Sequence, residues 1–408
     1  MKYTPVNLLN VRPLLDGENI FVGRLALRNR QIWFEYDGAF ADRRLQVSPF
    51  TLPLKLTAVS GKESPFEGLP GLFNDSLPDG WGRLLLDRAA RAHGIAPQSL
   101  TPLDRLSHVG SHGMGALIYE PDYTDIPAVK EALDLDRLRD DMRHVLAGEA
   151  EDVIEELYAL GGSSSGARPK IVTGFNAKTG AVIHGQQELP QSYEHWLIKF
   201  NSPNDPEDIA AIEYAYAQLA KAAGVDMPET RLFAGKKGRY FGTKRFDRIG
   251  NKRLHMHTAA GLLHADHRMP SLDYENLMRA CVSLCRDIKQ TEKLFRLAAF
   301  NVFAHNRDDH SKNFSFLMNR SGAWTVAPAY DLTFSYGPGR EHSMLVMGEG
   351  KSPGAKHLLQ LAEKFQLDKP QLIIDEVRSA VQGWKKVAAE AGVSKQSADI
   401  IWNVIGRM

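Results

Sequence analysis

The stretch FNVFAHNRDDHSKNFSFLMNRSGAWTVAPAYDLT, Phe300 to Thr333, decides how this chain reads. It holds the pair Arg307-Asp308, an Asn five residues after that Asp, and a further Asp, Asp331, just before Leu-Thr. Taken singly, Asp308 reads as a turn or N-cap residue and Asp331 as another helix cap. Taken together, two carboxylates and an amide at fixed spacing read as parts of one site. After Asn313 the segment NFSFL runs as a strand, NRSG turns, and AWTVAP returns, so Asp331 stands at the end of a hairpin.

Phosphoryl transfer from ATP needs a carboxylate near the acceptor hydroxyl and oxygen ligands that hold Mg2+ against the phosphates. Protein-kinase catalytic loops set these out as D-x-x-x-x-N, followed after a hairpin by a metal-binding Asp. Asp308 and Asn313 have that spacing and Asp309 does not, which makes Asp308 the candidate base. Asn313 and Asp331 are the candidate metal ligands. DLT stands where D-F-G is usual, so the departure falls on the Phe and Gly and the Asp is kept.

The remaining parts of such a site should lie upstream. HWLIKF ends a short apolar strand in Lys199 and is similar to V-A-I-K. A lysine among apolar neighbours needs an anion, and Glu213 on the next helix can supply one, with Glu207 as competitor. Most strand-end lysines simply snorkel to solvent. GGSSSGARPK sets Gly161, Gly162 and Gly166 around serines, and glycines let backbone N–H groups approach phosphate oxygens. It is neither G-x-x-x-x-G-K-[ST] nor G-x-G-x-x-G, and alone it reads as a linker. Lys170 adds charge just beyond it. TKRFDR, with Lys244, Arg245 and Phe246, is the segment against which adenine would rest. Glycine loop, strand lysine, helix glutamate, D-x-x-x-x-N and Asp follow in the order of the kinase fold.

The rest of the chain sets bounds. It has 408 residues, 43% hydrophobic and 24% charged, with a formal net charge of +1. That suits a globular protein with a sizeable core and gives no global field for nucleic acid or membrane. The two cysteines, Cys281 and Cys285, sit i,i+4 on a predicted helix and read as small apolar residues of a cytoplasmic protein. The start, MKYTPVNLLNVRPLL, lacks a signal-like apolar region, and no apolar run approaches about 18 residues, so neither secretion nor a membrane span is expected.

The predicted fold is α+β: a kinase-like two-lobed fold with a β-rich N-terminal subdomain and a mainly helical C-terminal lobe. Strands are predicted in IFVGRLALRN, QIWFEYDGAF and RLQVSPFTLPL. A helix is predicted from Trp81 to His93, with Asp79 as N-cap and Gly94 as stop. Helical DLDRLRDDMRHVLAGEAEDVIEELYAL carries a linker near Gly148. A hairpin covers GARPKIVTGFNAKTGAVIHG, and NDPEDIAAIEYAYAQLAKAAG is a helix with Asn204 or Asp205 near its N-cap. The expected units are 1–125, 126–250 with the Ser/Gly loop and strand lysine, and 251–408 with the catalytic loop.

GGSSSGARPK, LIKF, KRFDR, NRDDHSKNFSF and APAYDLT together resemble the HipA-type toxin kinases of bacterial toxin–antitoxin systems, and DSLPDGWGRLLLDR resembles their N-terminal subdomain. The resemblance implies a serine/threonine protein kinase using ATP and Mg2+, with an aminoacyl-tRNA synthetase as target in the best-known members. It implies Asp308 as base, Asn313 and Asp331 on Mg2+, and Lys199 and Lys170 on ATP. His310, Ser311 and Lys312 would lie along the nucleotide, with Tyr330 beside them. It implies autophosphorylation of the loop at Ser163, three residues before Gly166, with Ser164 and Ser165 as alternatives. It implies a helix-turn-helix antitoxin as partner, with operator DNA reached mainly through that antitoxin.

Other readings compete. A small-molecule phosphotransferase shares the Asp-Asn-Asp logic, and a catalytically silent kinase-like co-repressor would keep the fold. HMHTAAGLLHADH sets out His255, His257, His264 and His267 at spacings that can ligate zinc, although a solvated loop or helix-face cluster is the plainer expectation. Trp81 and Trp196 read as core or interface residues.

Overall fold

The computed structural model describes residues 4–124, 132–149, 153–161, 166–185 and 188–407. The chain is α+β, with a β-rich N-terminal part, a small lobe built on a sheet, and a mainly helical large lobe.

The N-terminal part is a six-stranded antiparallel sheet. Leu8–Leu15 lies between Gly23–Arg28 and Leu117–Glu120. Its alternate residues Leu9, Val11 and Leu15 face the core, as a half-buried strand requires. Gly23–Arg28 turns into Gln31–Tyr36 through Asn29 and Arg30, both at positive φ, the geometry that matches strand twist in a tight hairpin. The strand expected in RLQVSPFTLPL is absent. Pro49 and Pro53 cannot donate to a ladder, and the DGAF end of the preceding strand is instead a short helix, Gly38–Asp42, capped by Asp37.

The small lobe is a five-stranded antiparallel sheet. Glu194–Lys199 is its centre, flanked by Lys170–Phe175 and Arg239–Lys244, with Val182–His184 and Thr230–Ala234 outside them. The register sets Lys170 directly opposite Lys199. Helix Ile209–Ala222 follows the central strand and ends before Gly224, which takes φ +73°. Its N-cap is Asp208, not Asn204 or Asp205. Asp205 is used by the turn at Ser202 and by Arg168, so the helix starts one turn later than Pro206 suggests.

The large lobe centres on Ile288–Phe303, whose last ten residues are buried almost throughout. Tyr274–Cys285, Ala355–Lys364, Pro370–Gln382, Trp384–Ala391 and Lys395–Ile405 complete the lobe's longer helices. Its hairpin, Ser315–Met318 with Trp324–Val326, gains a third strand, His255–Thr258. The histidines at 255 and 257 are therefore buried in a strand and not on a solvated loop. His255 bonds Val47 O at 2.8 Å, and His257 bridges Ser48 at 3.0 Å and Asp75 at 2.6 Å, stapling the N-terminal part to the lobe. Among the described residues, no three His, Cys, Asp or Glu side chains cluster as metal ligands.

Among the described residues two large apolar cores hold these parts, beside a small third cluster of Ala210, Ala217 and Phe241. One runs without a break from the N-terminal sheet through the large lobe. The other lies under the five-stranded sheet and includes Trp196, Phe175, Leu138 and Leu157. Helix Gly80–Ala92 joins this second core through Trp81, Leu85 and Ala89, so the N-terminal part reaches beneath the small lobe. That course carries Asp79 to the cleft. Cys281 is buried and Cys285 half-buried, both as free thiols. No described helix is long and apolar enough to cross a membrane.

Candidate active site

A cavity of about 710 Å3 lies between the lobes, walled on its third side by the N-terminal part. Lys170, Lys199, Lys244, Arg245, Phe246, Asp308, His310, Lys312, Asn313, Tyr330 and Asp331 all line it. Ser311 does not. It is buried in the single turn Ser311–Asn313, and its hydroxyl has no partner among the described residues. Ser163, Ser164 and Ser165 lie outside the described residues.

Lys199 ends the central strand and is buried. Its ammonium donates to Glu213 Oε2 at 2.8 Å and to Asp331 Oδ1. Glu207, the competing carboxylate, is exposed on the loop before the helix. Burial disfavours charge on Lys199, but Asp331 and Glu213 more than offset it and hold the ammonium above its ordinary range. Burial likewise opposes ionisation of Asp331, and Lys199 and Lys170 overcome it, keeping the carboxyl well below the usual range. Asp331 sits at φ +56°, a conformation costly for a non-glycine residue and held by its surroundings. Lys170, opposite Lys199, is shifted down, first by burial and then by Lys199, with Asp331 and Asp79 acting against that.

Asp308 and Asp309 have opposite environments. Asp309 is fully buried and takes Tyr274 Oη at 2.9 Å, His342 Nδ1 at 3.0 Å, Ser343 N at 2.9 Å and Met344 N at 3.3 Å. It anchors the loop. Asp308 opens onto the cavity, its side chain 51% exposed while ringed by protein on the other sides. Desolvation raises its pKa, and His310, 4.0 Å away, pulls the other way. Asn313 Nδ2 donates to the main-chain carbonyl of Asp308 at 2.7 Å, which ties the amide to the backbone of the loop that carries Asp308.

Tyr330 Oη donates to Lys312 O and lies 2.6 Å from Ser315 Oγ. Its ring meets Phe246 at 5.5 Å, so an aromatic pair closes one end of the cavity. Lys244 pairs with Glu194. The Arg245 guanidinium is taken up by Asp247, at 2.9 and 2.7 Å, in a buried group with Arg248 that also binds Gly113 O and Gly115 O. It works as a lock between the interlobe segment and the N-terminal part.

Some functional neighbours escaped the sequence. Arg168 pairs with Glu213 and with Asp205 at 3.0 Å, holding the glutamate oxygen that Lys199 does not use. Its place between Gly166 and Lys170 was a signal. Asp79 occupies the N-cap position of Gly80–Ala92 but makes no cap bond. It accepts from Gly166 N and from Lys312 Nζ, the latter at 2.5 Å.

The lobes, strand lysine, helix glutamate and post-hairpin aspartate define a protein of the kinase-like fold class. The chain belongs to the HipA family: the model of the HipA-like C-terminal domain matches residues 162–384, and that of the HipA N-terminal domain matches 17–120. The HipA chain of Shewanella oneidensis MR-1, solved with HipB and operator DNA, is similar in fold over 98% of this chain and 95% of that one, with TM-score 0.68 at 15% identity. A Haemophilus influenzae protein named "Putative kinase" is 24% identical over 176 residues, 39% of this chain and 51% of that protein. The chain thus spans about half the length of this curated relative.

Proposed function

We propose that the chain is a serine/threonine protein kinase that uses ATP and Mg2+ and acts as the toxin of a toxin–antitoxin module. The observation that carries this reading is Lys199, whose ammonium bridges Glu213 and Asp331 in the cavity that also receives Asp308 and Asn313.

Asp308 takes the proton of the acceptor hydroxyl as its oxygen bonds to the terminal phosphorus and the bond to the ADP oxygen breaks. Its raised pKa suits a base on a protein acceptor. Lys199 and Lys170 meet the phosphates, and Tyr330 with Phe246 packs against the base. Asp331 and Asn313 offer the hard oxygen donors that magnesium prefers. Bound magnesium would neutralise charge on the phosphates. Residues 126–250 and 251–408 form the two lobes of this reading, and 1–125 closes the cleft.

Phosphorylation at Ser163, or at Ser164 or Ser165, would add about two negative charges beside the phosphate site and repel ATP. This is the proposed self-inactivation. HipB and operator DNA accompany the Shewanella relative. For this chain a helix-turn-helix antitoxin is the proposed partner, in the cytoplasm, with DNA reached mainly through it and an aminoacyl-tRNA synthetase as target by family resemblance.

The test is expression of wild type beside Asp308→Asn, with growth and the phosphoproteome read together. Growth arrest with a new phosphoserine or phosphothreonine only in the wild type supports the reading. Equal arrest by both proteins overturns it in favour of a catalytically silent repressor.

A further inference from the structure

Asp79 comes from the N-terminal part, yet its carboxylate lies in the cleft with donors of the kind that hold phosphate. It accepts from the backbone N–H of Gly166 and, at 2.5 Å, from the Lys312 ammonium. It lines the same cavity as Lys170 and Lys199. A backbone N–H beside a glycine and a lysine amine is a donor set suited to an anionic oxygen. The sequence alone makes Asp79 a helix cap, and the structure shows no cap bond from it. Its charge is directed to the cleft.

We propose that Asp79 is a positioning residue that stands in for a nucleotide phosphate oxygen, and that the terminal phosphate of ATP takes Lys312 from it on binding. The proposal rests on the kinase reading above. Lys312 is only 12% exposed at its side chain, and Asp79 27%, so the pair is largely withdrawn from water. Lys312 is thereby kept paired and correctly placed until an anion of higher charge arrives. Burial raises the Asp79 pKa, and Lys312 and Gly166 more than reverse this, so the carboxylate is ionised at neutral pH. An ionised carboxylate at this point repels incoming phosphates, so the exchange carries an electrostatic penalty.

The backbone ties this contact to the start of helix Gly80–Ala92. Trp81 N donates to Gly166 O at 3.0 Å. Gly80 has φ +45°, and a Cβ there would lie 2.5 Å from Gly166 O. The helix start and the residue after the Ser/Gly stretch are in direct backbone contact, so the N-terminal part is coupled to phosphate binding.

The experiment compares wild type, Asp79→Asn and Lys312→Met as full chains, titrated with ADP and with a non-hydrolysable ATP analogue in the presence of Mg2+. Asn keeps an acceptor for Gly166 N–H and drops the charge. Expected is tighter binding of the triphosphate analogue by Asp79→Asn, by about five- to tenfold, with a smaller gain for ADP. In a Lys312→Met background, adding Asp79→Asn should give a smaller gain, since only the repulsion of the phosphates and no longer the competition for Lys312 is relieved. A folded Asp79→Asn, matched to wild type by thermal melting and near-ultraviolet circular dichroism, that binds the analogue equally or more weakly overturns the inference alone. A wild type that binds neither nucleotide overturns the kinase reading and this inference with it.

Discussion

Lys199 and Asp331 are 132 residues apart in sequence and are joined by an ion pair in the cleft, with Glu213 2.8 Å from the same ammonium. The pair ties the central strand of the small lobe to the loop that follows the large lobe's hairpin. Both folding and the proposed chemistry depend on it.

Lys199→Met should therefore lower stability as well as nucleotide affinity. It leaves Glu213, almost fully buried, with Arg168 alone, and removes the nearest cation from Asp331. Breaking a buried pair from one side costs roughly 3 to 5 kcal/mol, here toward the lower end because Asp331 is partly open. The sign with pH follows from Asp331. Its folded pKa is depressed, so its stabilisation is complete above the ordinary aspartate value of about 3.9 and is lost as pH falls toward the depressed one. Urea denaturation from pH 7 down to about 3 should show a steeper loss for wild type than for Lys199→Met.

The two adjacent aspartates should separate in opposite directions. Asp308→Asn should abolish phosphotransfer without lowering stability at pH 7. The folded pKa of Asp308 is raised, so its ionised form opposes folding as pH climbs through the interval above the ordinary value, and the neutral Asn escapes this. Asp309→Ala should destabilise by roughly 3 kcal/mol or more, because Tyr274, His342 and two backbone N–H groups lose their acceptor. Paired denaturation curves and activity assays check both.

The seam between the N-terminal part and the large lobe is backbone against backbone. A Cβ at Gly71 would lie 2.1 Å from Gly261 O, and one at Gly261 would lie 2.6 Å from Gly71 O and from the Asp75 carboxylate. Gly71→Ala and Gly261→Ala should each cost roughly 2 kcal/mol or more. Their double variant should fall short of the sum, since the first opens the seam for the second. Denaturation midpoints measure this.

Ser48, His257 and Asp75 have the partner order of a hydrolytic triad, with bonds of 3.0 and 2.6 Å. Ser48 and His257 are both fully buried, so no substrate can reach the hydroxyl. Ser48→Ala should cost about 1 kcal/mol and leave phosphotransfer intact. A fluorophosphonate probe should not label the folded chain at Ser48.

Local signals carried much of the fold. The strands read in IFVGRLALRN and QIWFEY, and the glycines ending helices at Gly94 and Gly224, each depend on neighbours in sequence, whereas the strand Leu8–Leu15 was not read. The cleft was legible because kinase-like sites keep spacing and chain order, and Asp308, Asn313 and Asp331 do meet there. What was hidden depends on partners far away in sequence. Asp79 looked like a cap because only folding brings Lys312, 233 residues on, to its carboxylate. His257 looked solvated because its partners Ser48 and Asp75 lie about 200 residues upstream. Arg245 was read with the nucleotide; it lines the cavity, and what the sequence did not show is that its guanidinium pairs with Asp247 two residues on.

The most direct test of the central claim is incubation of the purified chain with γ-labelled ATP and Mg2+, followed by site mapping of the label. The account predicts label on a serine among residues 163–165 in the wild type and none in Asp308→Asn. Absence of label from folded, nucleotide-binding wild type, or equal labelling of Asp308→Asn, would contradict it.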